Sequence, residues 1–389
     1  MDFELSDEQV LLRDSTRGLL ARSYDPESRN KVVDTELGWS RDVWGQLAEI
    51  GILGLTFETA EVGPIETMLA LAEVGRRLAP EPVIAAALTP GVLIAQAGSE
   101  QQRHLLERVA SGQTLLAFAH NEPGMRWPAP QPATKAVPDG GSWAITGRKN
   151  PVLAGDCADT LVVSATLPGG AVGLFLVAAD AVTRHKYRTF DGQRGAQVDF
   201  DEAVAEPLGQ AVGEPGQGVG EPGQAVGQPG QAGDAANVIR NAIIRTQSAL
   251  CAEAVGAMEE ALRLTTEYLK ARKQFGVTLN KFQALTQRAA DMYVSLEMAR
   301  SMNMYAAMSI ADGNLDPVIA SRAKLAVGQA ARHIGQEAVQ LHGGIGMTAE
   351  YPVGHYLARL TAIEQTLGAS DDHLRVLIDR LGDYDVATL

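Results

Sequence analysis

The spacing of apolar residues in the last part of the chain constrains the fold most. From Ile239 to Leu269 they recur at intervals of fours and sevens, which predicts one long helix. Gly313 is expected to end a second helix, and Asp316-Pro317 to begin a third, with Asp as the cap and Pro in the first turn. A last helix is expected from His355 to about Leu381. Four long helices joined by short links predict an antiparallel bundle over residues 234–389.

Residues 1–117 also have helical patterns. Ser6 and Ser99 each precede a glutamine by three residues, which is the S-x-x-Q form of a capping box. Ser40 is expected to cap a further helix that carries Val43 and Trp44. These signals predict an N-terminal helical domain.

The segment 118–208 has the pattern of short strands. β-prone runs such as Leu161-Val162-Val163 and Leu174-Phe175-Leu176-Val177 are separated by Gly and Pro clusters. This pattern predicts a small β-barrel or sandwich. The whole chain is therefore predicted to be an α+β protein in the order helical domain, β domain, helical bundle.

A repetitive segment, residues 209–233, separates the β domain from the bundle. It holds three copies of G-Q-[AG]-V-G-[EQ]-P and part of a fourth. Gly and Pro in every repeat oppose a coiled coil, so the segment is predicted to be a disordered linker. A binding segment is the alternative.

Charge and cysteine content exclude several classes of function. The 389 residues include 33 Lys and Arg against 47 Asp and Glu, for a formal charge of −14. Such a chain is a poor partner for nucleic acid, although a local basic pocket could still take a small anion. Two cysteines, Cys157 and Cys251, give neither a disulfide framework nor a CxxC metal site. The acidic N-terminus and the short longest apolar run, Ala171 to Ala179, favour a cytoplasmic protein with no membrane span.

Two motifs stand at the ends of the predicted bundle helices. The first is Arg272-Lys273-Gln274-Phe275-Gly276, followed by Phe282-Gln283. The second runs from Gln340 to Met347 and is followed by Glu350-Tyr351-Pro352-Val353. In this order of domains they resemble the R-x-Q-F-G…F-Q and Q-x-x-G-G-x-G…E-Y-P-V signatures of the acyl-CoA dehydrogenase superfamily. Apart from the insert, the resemblance covers nearly the whole chain.

The chemistry of these motifs suits a flavin adenine dinucleotide. Arg272 is a permanent cation for bidentate phosphate contact, and Gly343-Gly344 lets a backbone approach a cofactor closely. The alternatives are a solvated helix-end cation and a plain helix C-cap. The resemblance implies that these groups bind the adenosine and pyrophosphate of an FAD whose ring lies in a neighbouring subunit. The implied cofactor residues are Arg272, Gln274, Phe282, Gln283, Gln340, Leu341, His342, Gly343 and Gly344.

The sequence departs from the family at the catalytic base. The family reaction needs a carboxylate to take the α-proton of an acyl-CoA, and counting from the second motif puts that position on Leu367. The alternative family position falls on Thr246, whose hydroxyl is too weak a base. Glu364, three residues before Leu367 and expected on the same helical face, is a candidate for a relocated base. The alternative for Glu364 is a surface carboxylate.

The flavin-ring side is altered as well. The loop that is T-E-P-x-A-G-S-D in the family here runs from Asn121 to Pro128, with Arg126-Trp127 replacing its Gly-Ser. The family's W-I-T stretch becomes Pro151-Val152-Leu153, which lacks the hydroxyl and one N–H. The ring site of this chain is therefore expected to be degenerate.

The groups expected at the base and the flavin ring are missing, whereas those expected at the adenosine and pyrophosphate end are present. This contrast between two half-sites suggests a site that is shared with another chain. The pattern is similar to the heterotetrameric acyl-CoA dehydrogenases of bacterial steroid side-chain breakdown, in which one chain carries the base. The first hypothesis is thus an FAD-dependent acyl-CoA dehydrogenase of fatty acid or steroid degradation, paired with a paralogous subunit. The alternatives are a self-sufficient homotetramer with a relocated base and a non-catalytic scaffold. The resemblance implies acyl-CoA as substrate and an electron-transferring flavoprotein as acceptor.

Overall fold

A computed structural model describes residues 5–55, 57, 63–125, 127, 131–209 and 235–383. Except for Gly209, the predicted linker lies outside these residues. The α-helices are α1 (Asp7–Ser23), α2 (Pro26–Val33), α3 (Arg41–Glu49), α4 (Pro64–Arg77), α5 (Thr89–Ala97), α6 (Glu100–Ala110), α7 (Ala235–Ala271), α8 (Gln283–Ala311), α9 (Pro317–His342), α10 (Val353–Gln365) and α11 (Ser370–Asp379). The strands are β1 (Leu116–Ala119), β2 (Lys135–Asp139), β3 (Ser142–Leu153), β4 (Thr160–Thr166), β5 (Val172–Ala178), β6 (Thr183–Arg188), β7 (Arg194–Pro207), β8 (Lys273–Gln274) and β9 (Val277–Thr278).

Local capping begins the helices where the sequence predicts. The Ser6 and Ser99 hydroxyls accept from the backbone N–H groups of Gln9 and Gln102, at 3.2 and 3.3 Å, and both capping boxes are complete. Asp316 caps α9 by accepting from the Val318 N–H at 2.7 Å. These caps satisfy backbone donors that would otherwise have no partner, so the prediction of helix starts is confirmed.

The β domain is a small barrel. Strands follow the order β1-β4-β2-β3-β7-β5, β6 pairs with β7, and a β4–β5 pairing closes the ring. The side chains that fill it include Leu161, Val163 and Ala165 of β4 and the aromatic rings of Phe175 and Phe200. The predicted barrel is confirmed.

α7 is central to the helical part. It packs against α4 so closely that an added Cβ on Gly75 would lie 1.9 Å from the Glu253 carbonyl oxygen. On the α7 side, an added Cβ on Gly256 would lie 1.7 Å from the Ala72 carbonyl oxygen. The first half of α7 shares a core with the N-terminal helices, and its second half packs in the bundle with α8, α9 and α10.

The prediction of one last helix from His355 to about Leu381 is wrong. The chain breaks between α10 and α11, where Leu367 and Gly368 both have positive φ, 57° and 102°. Lys324 of α9, 3% exposed, donates to the carbonyls of Ile363 at 2.7 Å and Thr366 at 2.8 Å. These bonds satisfy carbonyls at the end of α10, so a tertiary contact stabilises the break.

Within the described ranges, no helix is long and apolar enough to cross a membrane. The same residues hold no group of three or more His, Cys, Asp or Glu that could bind a metal ion.

Candidate cofactor and active site

The Arg272 motif forms a hairpin at the end of α7. Strands β8 and β9 pair through a turn at Phe275 and Gly276, whose φ angles are 53° and 82°. Positive φ at two consecutive residues is typical of a type I′ hairpin and is strained for Phe. The Phe275 side chain is 91% exposed and meets Phe282 edge to face at 6.1 Å. Among the described residues, the exposed Arg272 side chain has no hydrogen-bond or ion-pair partner, so its donors are available.

The Gly343-Gly344 turn lies at the end of α9. Gly343 caps the helix with a φ of 65°, and both glycines are exposed. An added Cβ on either one would meet no described atom within 4 Å. The turn is therefore a helix C-cap, which was the alternative to a cofactor-binding turn. Its outer surface is also open, so a ligand could approach the backbone closely.

An aromatic stack connects the two motifs. The His342 ring packs on Tyr268 at 4.5 Å and on Tyr351 at 4.9 Å. Its Nδ1 bonds the Ala338 carbonyl at 2.7 Å, and burial lowers the pKa of His342. Tyr268 lies in the last turn of α7, where its carbonyl accepts from the Arg272 N–H at 2.8 Å. His342 directly precedes Gly343, so the contact between the two rings places the hairpin next to the glycine turn.

The remaining residues of the implied cofactor set divide by exposure. Leu341 and His342 are buried, at 5% and 3% exposed. Phe282 is half-buried, and the amides of Gln274, Gln283 and Gln340 are exposed. The structure thus brings the two motifs to one end of the bundle, with Leu341 and His342 packed beneath the surface.

Leu367, which the resemblance puts at the family's base position, lies in the break between α10 and α11. The Leu367 carbonyl accepts from Gln247 Nε2 and is also 3.1 Å from His373 Nε2. Burial lowers the pKa of His373 to about 4, so its ring is neutral near pH 7 and donates from Nε2 to this carbonyl. Leu367 itself packs between the two helical cores. The position is thus occupied by an apolar side chain on a tightly bonded turn.

Glu364 is neither a surface carboxylate nor on a helical face shared with Leu367. Its residue is 5% exposed, and α10 ends at Gln365, before Leu367. Its carboxylate accepts from Arg332 Nη2 and from the Ser370 N–H, both at 3.0 Å, and also from Gln365. Both expectations were wrong. The position of the Glu364 carboxylate depends on its contact with Arg332 and on the bend of the chain after α10, and the local sequence predicts neither. The contacts make it a connection between α9, α10 and α11.

Thr246, at the alternative base position, is likewise engaged. Its hydroxyl donates to the Ala242 carbonyl at 2.7 Å and lies 2.8 Å from the Thr89 hydroxyl. The residue is 8% exposed. Its contacts join α7 to α5.

Trp127 packs against the same turn. An added Cβ on Gly368 would lie 2.6 Å from Trp127 Cδ1, and the indole meets the His373 ring at 5.8 Å. The Trp127 indole nitrogen is buried without a partner among the described residues. A large side chain therefore stands where the family loop has Gly-Ser, directly beside the Leu367 turn. Arg126, the other departure in this loop, lies outside the described residues.

Glu122, in the same loop as Trp127, forms an ion pair with Lys149 of β3. Lys149 is fully buried, and its ammonium bonds Glu122 at 2.8 Å and the His120 carbonyl at 3.1 Å. Burial opposes charge on Glu122, but hydrogen bonds from Lys149 and Thr134 lower its pKa to about 2. The pair fastens the Asn121–Gly124 loop to β3, so these two residues stabilise the barrel.

Sequence reasoning missed Lys324 and Arg332, which organise the base region from α9. Both are cations on a helix with no neighbouring motif, so no local signal distinguishes them. Trp127 was noted as a substitution, but its contact with Gly368 needs the bundle and barrel packed together.

Comparisons with known proteins agree with this architecture. Models described as the acyl-CoA dehydrogenase N-terminal and C-terminal domains match residues 6–113 and 236–382. The short-chain specific acyl-CoA dehydrogenase of Clostridium acetobutylicum is 28% identical over 381 residues, covering 93% of this chain and 95% of the relative. The chain therefore belongs to the acyl-CoA dehydrogenase superfamily, whose members are oxidoreductases and flavoproteins. The sequence-based assignment to that superfamily is confirmed.

Two solved structures share the fold over nearly the full length. A variant of the Tcur3481-Tcur3483 steroid ACAD is 29% identical, with a TM-score of 0.84 over 97% of this chain and 98% of that chain. The ChsE4-ChsE5 complex from Mycobacterium tuberculosis is 23% identical, with a TM-score of 0.85 over 99% of this chain and 100% of that chain. The second likeness concerns the fold alone.

Proposed function

We propose that this chain is the base-lacking subunit of a two-component, FAD-dependent acyl-CoA dehydrogenase. The observation that carries the proposal is the contrast between the two half-sites. Leu367 and Trp127 fill the base region, whereas Arg272 and the Gly343-Gly344 turn are open. The open half-site can take part in catalysis only if another chain supplies the flavin-ring pocket and the base. In this proposal a paralogous partner carries both.

The open half-site fits the adenosine and pyrophosphate end of FAD. Arg272 offers several unpaired N–H donors and a permanent charge, which suit a pyrophosphate. The glycine turn lets its backbone come close, and Gln274, Gln283 and Gln340 offer exposed amide groups for polar atoms of the cofactor. Phe275 and Phe282 provide an aromatic surface at the hairpin.

The ring half does not fit a working flavin site in this chain. Leu367 cannot take a proton, and Glu364 and Thr246 are occupied by other groups. When bound, FAD supplies hydride acceptance for the α,β-dehydrogenation of an acyl-CoA. The role of this chain is to hold the far end of the cofactor with Arg272, so that the partner can position the ring and remove the proton.

The surface of α8 supports a partner subunit. Tyr293, Val294 and Met298 are 56%, 60% and 64% exposed, although α8 also packs into the bundle with its other side. Exposed aromatic and Met side chains of this kind are typical of protein interfaces. The pair named in the Tcur3481-Tcur3483 structure favours association with a second, different chain.

The proposal includes the substrate class and electron acceptor. An acyl-CoA thioester is oxidised, with steroid-type acyl groups as the first to test because one relative is a steroid ACAD. An electron-transferring flavoprotein takes the electrons, and the location is cytoplasmic.

Flavin content per subunit tests the proposal. The chain is purified alone and after co-expression with candidate paralogues, and the flavin absorbance is measured against protein. We expect flavin only in the co-purified complex, at fewer than one per chain. One flavin per chain in the lone protein would support the self-sufficient homotetramer, and no flavin in either sample would support the scaffold.

A further inference from the structure

A second concave site lies away from the base region and the Arg272 hairpin. It is a cavity of about 630 Å³ between the segment that leads into α3, the loop that follows β3, and strands β6 and β7. We call it the cationic cavity. Its charged lining consists of Arg41, Arg184, Lys186, Arg188 and Arg194, opposed by Glu36, Asp156 and Asp159. The lining carries five cations and three carboxylates, in a chain whose formal charge is −14.

Two of these cations are held in place by hydrogen bonds to backbone carbonyl groups. Arg184 donates to the carbonyls of Gly155 and Ala158, at 3.3 and 3.1 Å. Arg194 donates to the carbonyls of Val33 and Thr35, at 3.0 and 2.8 Å. Because carbonyl partners are neutral, both positive charges remain available to attract an anion, and neither side chain must be ordered when one binds.

Two further cations are free to contact a ligand. Lys186 is exposed, and among the described residues its ammonium has no hydrogen-bond or ion-pair partner. Arg41 is also exposed, with its guanidinium over the Trp39 ring at 5.5 Å. Arg188 differs because it pairs with Asp34 at 2.8 Å.

The carboxylates reduce the field without cancelling it. Asp159 accepts from the Leu115 N–H at 2.9 Å and so has a structural role. Asp156 is 6% exposed, and its Oδ1 has no hydrogen-bond partner within the described ranges. Burial raises the pKa of Asp156, and the neighbouring cations Lys186, Arg194 and Arg184 oppose that rise.

We propose that the cationic cavity binds a phosphate-bearing organic anion of nucleotide size. The volume exceeds that needed for a lone phosphate, the preorganised arginines provide the charge, and Leu37 and Tyr187 give the wall an apolar part. This site is independent of the proposed FAD half-site, because none of its residues belongs to the Arg272 hairpin or the glycine turn.

The test measures binding of two probes, pyrophosphate and ADP, to the full chain by isothermal titration calorimetry at low salt. The Lys186→Gln/Arg41→Gln double variant should bind at least about tenfold more weakly, because two charge-assisted contacts are lost. A control double variant, Lys135→Gln/Arg103→Gln, makes the same change in net charge at exposed positions elsewhere and should bind like the unaltered chain. Near-ultraviolet circular dichroism of all variants verifies that each is folded.

The Arg272→Ala variant separates this site from the FAD half-site, to which ADP could also bind. ADP binding that survives Arg272→Ala and fails in the Lys186→Gln/Arg41→Gln variant supports the cationic cavity. ADP binding with the opposite pattern overturns it and leaves the FAD proposal intact. No binding of either probe, or equal weakening by the control variant, also overturns it. If ADP binds and pyrophosphate does not, the site needs the nucleoside as well as the charge.

Discussion

The substitution Glu364→Gln distinguishes a structural carboxylate from a relocated base. Glu364 is 5% exposed and accepts from Arg332 and from the Ser370 N–H, both at 3.0 Å. Glutamine keeps the size of the side chain but removes its charge and replaces one acceptor by a donor. That donor would face the Gln365 amide, which now donates to the carboxylate.

The size of the effect follows from the exposure of the two partners. Removing one partner of a fully buried ion pair costs about 3–5 kcal/mol, because the other charge stays unpaired. The Arg332 side chain is 57% exposed and can be hydrated instead, so most of that penalty does not apply. A hydrogen bond to a charged group contributes about 1.5–3 kcal/mol, and the exposure of Arg332 reduces this, so the expected loss in the free energy of unfolding is about 1–2 kcal/mol. The melting temperature should fall by about 2–4 °C for each kcal/mol.

Thermal unfolding and turnover are then measured on the same preparation of the complex. Turnover should stay within a few-fold of the unaltered enzyme. Glu337→Gln is the matched control, since Glu337 pairs with Arg288 on the same bundle at side-chain exposures of 21% and 40%. An exposed pair should contribute less than about 1 kcal/mol. Unaltered stability of Glu364→Gln together with a loss of turnover of about 10²–10⁴-fold would refute the structural role and identify Glu364 as the base.

Four other changes have defined outcomes. Burial raises the pKa of Glu81 from 4.5 to about 7, so the stability that the protonated carboxyl contributes is complete below its unfolded pKa and is lost as the pH rises through 7. Between about pH 5 and about pH 8 the unaltered chain should therefore lose about 2.5 kcal/mol more than the Glu81→Gln variant, as measured by denaturation at both pH values. Gly256→Ala should destabilise the chain by at least about 1–3 kcal/mol in the same assay, because its Cβ would lie 1.7 Å from a carbonyl oxygen of α4. Arg272→Ala should weaken FAD retention in the complex by about 10–100-fold on dialysis, with Lys270→Ala as a control that retains it; equal retention in both would show that the hairpin has only a structural role. Leu367→Glu should create no dehydrogenation in the lone chain, and a gain of activity would mean that its own ring site works.

Much of the helical part could be predicted because its signals are local. The Ser6 and Ser99 capping boxes and the Asp316-Pro317 start depend on residues within one helical turn of each other. The barrel was predicted from alternating β-prone runs and turn residues, and the two bundle motifs predicted the superfamily. Short-range hydrogen bonds and periodic burial leave such patterns in any sequence that forms these elements.

The candidate site was predictable only in part, because its decisive contacts join distant segments. Counting from the second motif predicted that Leu367 replaces a carboxylate. The break around it depends on Lys324, which reaches across from α9 to the carbonyls that end α10. The local sequence around Glu364 does not predict whether its side chain is exposed or buried. The contact with Arg332, which is 32 residues away in the sequence, holds it in the buried position.

The cationic cavity shows the same division between sequence and structure. The sequence by itself allowed a basic pocket in an acidic chain, since net charge does not limit local charge. Arg41, Asp156 and Lys186 belong to the N-terminal helices and to two separate parts of the barrel, and only tertiary packing brings them to one cavity. Local patterns determined the elements and the family of this chain. The positions of its charges depend on contacts between segments far apart in sequence, and the tertiary structure alone decided them.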